Sequence, residues 1–229
     1  MKVDLHVHSC YSVDCCMSPE DIVSLSEQRG LGALATTDDN TIEGAIAVRE
    51  RASIPVIVGQ EISTAEGELV GLFLQEQAPR GLSAMETTRL IKRQGGLVGV
   101  PHPLDRFRSE SLDAPAVENL TCELDVAEAL NGRVTVAADN LRSERFASGE
   151  SLMRSAGSDA HSQFELGRGY VEMKPFQGRG GFLRAWAMAK SAARSAHSGF
   201  TSSAYSPKCA ASCAEVNPCS PSGTLSWPS

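Results

Sequence analysis

The amino-acid sequence predicts an α/β protein in which strands and helices alternate around a parallel sheet, closed or open. Three observations support this fold class. The chain has 229 residues, a length typical of one or two domains. Hydrophobic residues make up 41% and charged residues 21%, which is ordinary for a globular protein and excludes a wholly disordered chain. From residue 1 to about residue 190, β-rich runs alternate with segments of helical periodicity.

The first predicted strand, residues 3–7, precedes the clearest helix start in the sequence. Ser18 suits the N-cap, Pro19 the first helical position, and the acidic Asp21 lies three residues after the cap. An apolar face follows, and Gly30 is a typical helix stop. The next predicted elements are a strand over 33–37, a helix over 42–52 and a strand over 55–59.

The alternation continues through the second half of the chain. A strand over 69–74 follows a predicted turn at Glu66 and Gly67. Ser83 and Glu86 have the spacing of a capping box, which predicts a helix over 83–94 with Gly95 as its stop. The remaining predicted elements are a strand over 97–100, a strand within 122–130, a helix over 137–149, a strand over 152–156 and a helix over 182–193.

The composition changes near residue 196. Residues 196–229 contain only two charged residues but nine Ser and four Pro, and no apolar periodicity. We therefore predict a folded domain over 1–195 and a flexible Ser/Pro/Cys-rich tail over 196–229. The three cysteines of this tail lack a regular CxxC pair, which argues against a zinc knuckle.

Charge and cysteine usage exclude several functional classes. The formal net charge is −7 and no basic stripe is present, which argues against binding of long duplex nucleic acid. No run approaches the ~18 apolar residues of a membrane span. Asp4 interrupts any signal-peptide hydrophobic region, and the odd number of cysteines argues against a disulfide framework. These features predict a cytoplasmic protein without a membrane partner.

Histidines and carboxylates occur at or after the ends of the predicted strands. The C-terminal ends of parallel strands share one face of an α/β sheet, where active sites are built. An HxH pair alone is a weak signal, but further imidazoles and carboxylates on the same face favour a site for Mn, Fe, Zn or Mg. The residues at these positions are His6, His8, Asp38, Asp39, Glu61, His102, Glu128, Asn131, Asp159 and His161.

Seven segments resemble the PHP family (polymerase and histidinol phosphatase domain), specifically its small phosphoesterases. The segments occur in the same order as in the family and cover about residues 2–176. Together they are specific to the family, whereas any single segment would not be. They are DLHVHSCYSVD (4–14), ATTDDNTIEG (35–44), VGQEIST (58–64), GELVGLFL (67–74), QGGLVGVPHP (94–103), EALNGR (128–133) and GSDAHSQFELG (157–167).

The resemblance implies a distorted (β/α)7 TIM-like barrel, the PHP fold, that holds two or three divalent metal ions (Mn, Zn, Fe or Mg). The motif positions assign three metal sites, of which the first two share a bridging glutamate. The implied ligands are His6, His8, Glu61 and Asp159 for the first ion, Glu61, Glu68 and His102 for the second, and Asp14, Asp39 and His161 for the third.

Two of these positions depart from the pattern of the family. The family motif has histidine at position 39, where this chain has Asp39, and many relatives have histidine at the position of Glu68. Aspartate is a shorter, harder and charged ligand, which favours Mn or Mg. The alternative is that Asp39 leaves the third site empty.

The reaction implied by the resemblance is hydrolysis of a phosphate ester by a water that the metal ions activate. Such ions lower the pKa of water from ~15.7 to ~7 and neutralise charge in the transition state. No serine or cysteine nucleophile is required, and no base is assigned to the nearby Cys10. The expected catalytic residues are His6, His8, Glu61, His102, Asp159 and His161, and the expected substrate-binding residues are Arg106, Arg108, Asn131, Arg133 and Arg168.

Three functional interpretations stay open at this point. The leading one is a metal-dependent phosphatase or phosphodiesterase acting on a small metabolite or a nucleotide. The resemblance suggests a nucleoside 3',5'-bisphosphate, a short oligonucleotide cleaved 5'–3', or histidinol phosphate as substrate. The second interpretation is a catalytically impaired metal-binding module, because Asp39 replaces the family histidine. The third is metal-dependent amide hydrolysis, although no strand-end lysine supports a carbamylated-lysine centre.

Overall fold

The structure is a computed structural model that describes residues 1–187 and 193–195. Nine strands form one sheet and six helices cover it in the described part of the chain. The strands are β1 (Lys2–Val7), β2 (Leu31–Thr36), β3 (Val56–Thr64), β4 (Gly67–Leu72), β5 (Leu97–Val100), β6 (Val126–Asn131), β7 (Met153–Gly157), β8 (Gly169–Glu172) and β9 (Ala193–Ser195). The helices are α1 (Pro19–Gln28), α2 (Glu43–Arg51), α3 (Ala84–Arg93), α4 (Ala114–Leu120), α5 (Ala137–Gly149) and α6 (Gly178–Ala187).

The sheet curls into a nearly closed barrel, which confirms the predicted α/β class and TIM-like shape. Its strand order is β7-β6-β5-β4-β3-β2-β1-β8-β9. The segment after β7 returns to the end of β1, where Asp159 N donates to His6 O (2.7 Å) and His8 N donates to Ala160 O (3.0 Å). These hydrogen bonds bring the ligand-bearing ends of the first and seventh strands together.

The sheet is mixed rather than wholly parallel. β1, β2 and β3 are parallel neighbours, and so are β5, β6 and β7. β4 runs antiparallel to both β3 and β5, and β8 runs antiparallel to β1. β3 connects to β4 through the turn at Ala65 and Glu66, and a connection this short can join only antiparallel strands. The prediction of an all-parallel sheet is therefore wrong at these two strands.

Two predicted helix starts, those of α1 and α3, agree with the structure. Ser18 and Asp21 form a reciprocal capping box at α1, and Ser83 and Glu86 form another at α3. The predicted last helix, 182–193, is wrong at both ends, because α6 begins at Gly178 and residue 193 belongs to β9. Residues 188–192 and the predicted tail, 196–229, lie outside the described residues, so the domain boundary at 195 stays a prediction.

A buried carboxylate fixes the first strand against the loop after β7. Asp4 is fully buried and accepts backbone N–H groups of His6 (3.3 Å), Ser158 (2.9 Å) and Gly167 (2.9 Å). Burial raises the pKa of Asp4 to about 6, although these hydrogen bonds oppose the shift. Asp4 therefore positions the ends of β1 and β7 rather than serving as a ligand.

In the described part of the chain, no helix combines the length and the apolarity that crossing a lipid bilayer requires.

Candidate metal centre

The nine predicted metal ligands converge in one cup at the end of the barrel where β1, β2 and β7 finish. Their donor atoms form four overlapping groups, and within each group all donor atoms lie within 4.8 Å of one another. The groups are His6–His8–Glu61, His8–Asp159–His161, Asp14–Asp39–His161 and Glu61–Glu68–His102.

The first group brings two imidazoles and a carboxylate to one point. Nε2 of His6 lies 3.1 Å from Nε2 of His8, and each of these atoms lies 3.2 Å from Oε2 of Glu61. Burial lowers the pKa of His6, but the carboxylates of Glu128, Glu61 and Asp159 raise it well above its usual value. In His8, hydrogen bonds to carboxylates outweigh burial and raise the pKa to about 10.

One oxygen of Asp159 provides a test of whether these residues fit a metal ion. Asp159 Oδ1 is buried and accepts no hydrogen bond in the described part of the chain. It lies 3.4 Å from Nε2 of His8, 3.5 Å from Nδ1 of His161 and 3.8 Å from Nε2 of His6. Nη1 of Arg133 also lies 3.8 Å away, but a buried carboxylate oxygen without a hydrogen-bond donor is costly unless cations lie close to it. The mixed imidazole and carboxylate donors fit a divalent transition metal.

Glu61 connects the first and fourth groups. Its Oε2 faces His6 and His8, whereas its Oε1 lies 3.1 Å from Nε2 of His102. Burial raises the pKa of Glu61, but contacts with His6 and His102 hold it well below its usual value. A carboxylate with its two oxygens in different groups has the arrangement of a bridging ligand.

The β3–β4 hairpin brings Glu68 to the same group. Ser63 pairs with Glu68 across the hairpin, and Oε2 of Glu68 lies 3.8 Å from Nε2 of His102. Burial, together with the negative charges of Glu61 and Asp39, raises the pKa of Glu68 to about 8. A bound cation would remove this repulsion.

The third group lies at the rim of the cup. Nε2 of His161 lies 3.3 Å from Oδ1 of Asp14, and Nδ1 of His8 lies 3.8 Å from Oδ1 of Asp39. The Asp14 side chain is 49% exposed and that of Asp39 is 35% exposed, whereas His8 and Asp159 are buried. This group is the most accessible to solvent of the four.

Three further side chains orient the imidazoles. Asp38 accepts hydrogen bonds from the Ser9 backbone (2.6 Å) and the Ser12 hydroxyl (3.0 Å). That hydroxyl contacts Nδ1 of His8 at 3.0 Å. Ser111 contacts Nδ1 of His102 at 3.2 Å. Ser12 and Ser111 were not predicted. Ser12 lies within the segment DLHVHSCYSVD (4–14), but no local sequence signal identifies Ser111.

Two ligand-bearing residues have left-handed backbone conformations although neither is glycine. His102 has a φ of +28° and Asp159 a φ of +53°. Such conformations are unfavourable for residues with a Cβ and persist where surrounding contacts hold them, most often at functional sites. Each residue lies two positions after the last residue of the strand that leads to the cup, β5 for His102 and β7 for Asp159.

Three of the five predicted substrate-binding residues contact the cup. Arg108 forms an ion pair with Oδ2 of Asp159, and Asn131 donates to the same oxygen at 3.1 Å. Arg133 contacts Nδ1 of His161 at 2.7 Å. Arg133 also lies 3.8 Å from Oδ1 of Asp159 and 3.8 Å from Oε1 of Glu165.

The other two predicted substrate-binding arginines lie apart from the ligands. Arg106 forms a forked ion pair with the buried Asp139 of α5, with N–O distances of 2.7 and 3.0 Å. Arg168 lies close enough to Arg29 to lower the pKa of Arg29, an effect secondary to burial. Neither forms a hydrogen bond or ion pair with the nine ligands in the described residues.

Two family models match the chain. The model described as PHP domain matches residues 4–113, and that described as PHP-associated matches residues 137–190. An uncharacterized protein of Methanocaldococcus jannaschii is 33% identical over 178 residues, which cover 75% of this chain and 70% of that protein.

Two further comparisons cover different shares of the chain. The phosphoribosyl 1,2-cyclic phosphate 1,2-diphosphodiesterase of Eggerthella lenta is 35% identical over 102 residues, 41% of this chain and 38% of that enzyme. A two-domain protein of Bacteroides vulgatus, described as containing a PHP-like metal-dependent phosphoesterase, superposes with a TM-score of 0.68 at 21% identity. That superposition covers 81% of this chain and 62% of the solved chain, so this chain spans less than two thirds of it. The structural likeness supports the fold.

Proposed function

Because the chain belongs to the PHP family, we propose that it is a metal-dependent hydrolase of phosphate esters of a small metabolite or nucleotide. The observation that carries this proposal is the cup of four overlapping ligand groups, in which Glu61 links two groups and Asp159 Oδ1 is buried without a hydrogen-bond donor. Such a set favours several adjacent cations, which suits a phosphoryl group with its several negative oxygens.

The residues of the chain divide this task between holding cations and binding phosphate. When bound, divalent cations act as Lewis acids and acidify a water molecule. His6, His8 and Glu61 would hold them at the floor of the cup. Arg133 lies at the rim beside His161, where its guanidinium would donate to phosphoryl oxygens.

We infer that the cup takes two or three ions and that manganese suits it best. The group at the floor has two imidazoles and one carboxylate, which zinc, iron and manganese accept. The groups containing Asp39 and Glu68 each have two carboxylates and one imidazole. Oxygen ligands favour manganese or magnesium over zinc.

A nucleotide is the second candidate substrate, and two exposed aromatic side chains favour it. Phe107 and Phe164 are each 71% exposed. Phe107 precedes Arg108, and Phe164 lies in the loop that follows His161. Exposed rings beside a phosphate site provide stacking surfaces for a base. The name of the Eggerthella lenta relative adds phosphodiesters to the substrates to be tested.

The proposed function predicts that Asp159→Asn abolishes ester hydrolysis. Protein stripped with a chelator and reloaded with Mn²⁺, Zn²⁺ or Mg²⁺ would be assayed on p-nitrophenyl phosphate, bis-p-nitrophenyl phosphate and nucleotides. Because Asp159 would be a direct ligand, we expect kcat/KM to fall by more than ~100-fold. That factor is the largest loss typical of removing a residue that only supports a metal ligand.

Asp125→Asn is the matched control for this variant. Asp125 pairs with Lys92 and accepts the backbone N–H of Val98, outside the cup. We expect this control to retain wild-type turnover. Stoichiometric metal binding without turnover of any ester would favour the non-catalytic module instead, and turnover that survives Asp159→Asn would contradict the assigned centre.

A further inference from the structure

We propose that Glu128 is a positioning residue of the metal centre, whose carboxylate orients His6 and His102 toward the cations. This inference rests on the proposed function, because it assumes that the cup binds divalent metal. Glu128 lies on β6, is 4% exposed, and was not among the predicted ligands. Its Oε1 contacts the ring of His6, and its Oε2 contacts the backbone of His102 and the side chain of Asn131.

The first oxygen determines the tautomer of His6. Oε1 of Glu128 lies 3.1 Å from Nδ1 of His6. An ionised carboxylate only accepts hydrogen bonds, so Nδ1 must carry the proton. The lone pair of a neutral His6 is then on Nε2, which faces His8 and Glu61 at 3.1 and 3.2 Å. A carboxylate behind a ligating imidazole also increases its basicity.

The second oxygen supports the other side of the cup. Oε2 of Glu128 accepts the backbone N–H of His102 at 2.8 Å, which helps to hold the left-handed conformation of that residue. The same oxygen accepts the side-chain amide of Asn131 at 3.0 Å. That amide also donates to Oδ2 of Asp159 at 3.1 Å, so Glu128 acts on a third predicted ligand through Asn131.

The neighbouring strand is shaped to admit this contact. A Cβ placed on Gly157 of β7 would lie 2.2 Å from Cβ of His6 and 2.9 Å from Oε1 of Glu128. Both distances are below normal carbon contacts, so a side chain at this position would push the two partners apart. The absence of a side chain at Gly157 lets His6 and Glu128 meet.

Glutamine cannot replace Glu128 in this arrangement. Its amide has one acceptor oxygen and one NH₂ donor, whereas all three partners of Glu128 present N–H groups. In one orientation the NH₂ group faces His102 and Asn131. In the other it faces Nδ1 of His6 and favours the tautomer with its proton on Nε2, pointing into the cup.

The test compares the metal affinity of wild type, Glu128→Gln and Glu128→Asp. Chelator competition would give the dissociation constants for Mn²⁺ and Zn²⁺, without substrate or turnover. We expect Glu128→Gln to weaken binding by ~10–100-fold, the typical effect of removing an outer partner of a ligand. Glu128→Asp retains two acceptor oxygens but is one methylene shorter, so we expect an intermediate affinity.

A second readout separates positioning from a purely structural role. In the zinc-loaded protein, nitrogen-edited NMR would report the Nδ1–H of His6, which we expect to be shifted downfield and protected from exchange by Glu128 in wild type, and to move upfield and exchange faster in Glu128→Gln. Asp125→Asn is again the control. Asp125 lies just before β6, and its carboxylate accepts the backbone N–H of Val98, as Glu128 accepts that of His102. A lower melting temperature of metal-free Glu128→Gln with unchanged affinity and unchanged His6 signal would overturn the proposal.

The outcomes distinguish this proposal from the proposed function. Wild-type protein that binds no divalent metal would refute both. Wild-type binding that Glu128→Gln leaves within about twofold would overturn only the role of Glu128, since the expected loss is ~10-fold or more. If Glu128→Gln does not fold, an unchanged affinity in Glu128→Asp overturns the proposal, and a reduced affinity supports it.

Discussion

Single carboxylates are predicted to influence which cations the cup prefers. The resemblance implies histidine at the position of Asp39, and in many relatives at that of Glu68, so each would replace a nitrogen donor by oxygen. Asp39 contributes to the rim group with Asp14 and His161, and it is partly open to solvent. Burial, opposed by the nearby His8, raises the pKa of Asp39. The rim group is therefore the position where a single substitution changes the metal preference with least disturbance to the fold.

Asp39→His is predicted to increase zinc binding. An imidazole at this position gives the rim group two nitrogen donors, a set that zinc accepts more readily than one nitrogen and two oxygens. We expect a further zinc ion per chain by elemental analysis, or higher turnover with zinc, and little change with magnesium. Glu123→His, at an exposed position outside the cup, controls for an added surface imidazole. Unchanged zinc content and rate would show that Asp39 does not weaken the rim site.

At the scale of elements, strong local signals were enough to predict most of the fold. The capping residues Ser18 and Ser83 marked the starts of α1 and α3, and β5 and α5 have the predicted bounds. α4 was missed because a seven-residue helix has little periodicity of its own and depends on packing of Ala116 and Leu120. β8 was missed because its four residues are defined by pairing with β1, which is distant in sequence.

The candidate ligands were predicted from position and resemblance, but their supporting contacts were not. Strand ends identify His6, His102 and Asp159 because a barrel brings such ends together. Ser111 reaches His102 only because the β5–α4 loop folds back over nine residues. No periodicity or motif encodes that path, so contacts of this kind depend on tertiary structure.

The β5–α4 loop leads to a prediction about Arg106. This loop carries His102 and Arg108, and the forked pair of Arg106 with Asp139 fastens it to α5. If the pair is a tether, then Arg106→Ala, Asp139→Asn and the double variant should lower the melting temperature by similar amounts, because each breaks the same contact. Thermal melts and steady-state kinetics would be recorded for all three.

Substrate binding by Arg106 would give a different pattern in the same experiment. Arg106→Ala would then raise KM strongly while Asp139→Asn left it near wild type. Arg142 also contacts Asp139, at 3.3 Å, and lies outside the β5–α4 loop. Arg142→Ala is therefore the matched control, and we expect it to leave the kinetic constants unchanged.

For the whole molecule, the concentration of acidic groups in the cup couples metal binding to pH. The chain carries a net charge of −7, and carboxylates surround the buried imidazoles. Glu61 and Asp159 are held ionised because neighbouring imidazoles lower their pKa values against the effect of burial. In the metal-free protein, protons on the imidazoles neutralise part of this negative charge. Divalent cations must displace those protons, because a ligating imidazole binds through its free nitrogen.

The metal affinity is therefore predicted to rise with pH. The pKa of His8 is raised to about 10 and that of His6 is also well above its usual value, so both imidazoles are protonated near neutrality. Below these pKa values, each displaced proton should change the affinity by a factor of ten per pH unit, or ~1.4 kcal/mol. Glu68, whose pKa is raised to about 8, adds a displaced proton below that pH, whereas Glu61 and Asp159 stay ionised from pH 6 to 8.5 and add no opposing slope. Calorimetric titration with Mn²⁺ in buffers of different ionisation enthalpy would count the protons released. Removing the metal with a chelator should also lower the melting temperature, because bound metal stabilises the folded state. An affinity that does not change across this interval would mean that metal binding displaces no proton from His6, His8 or Glu68.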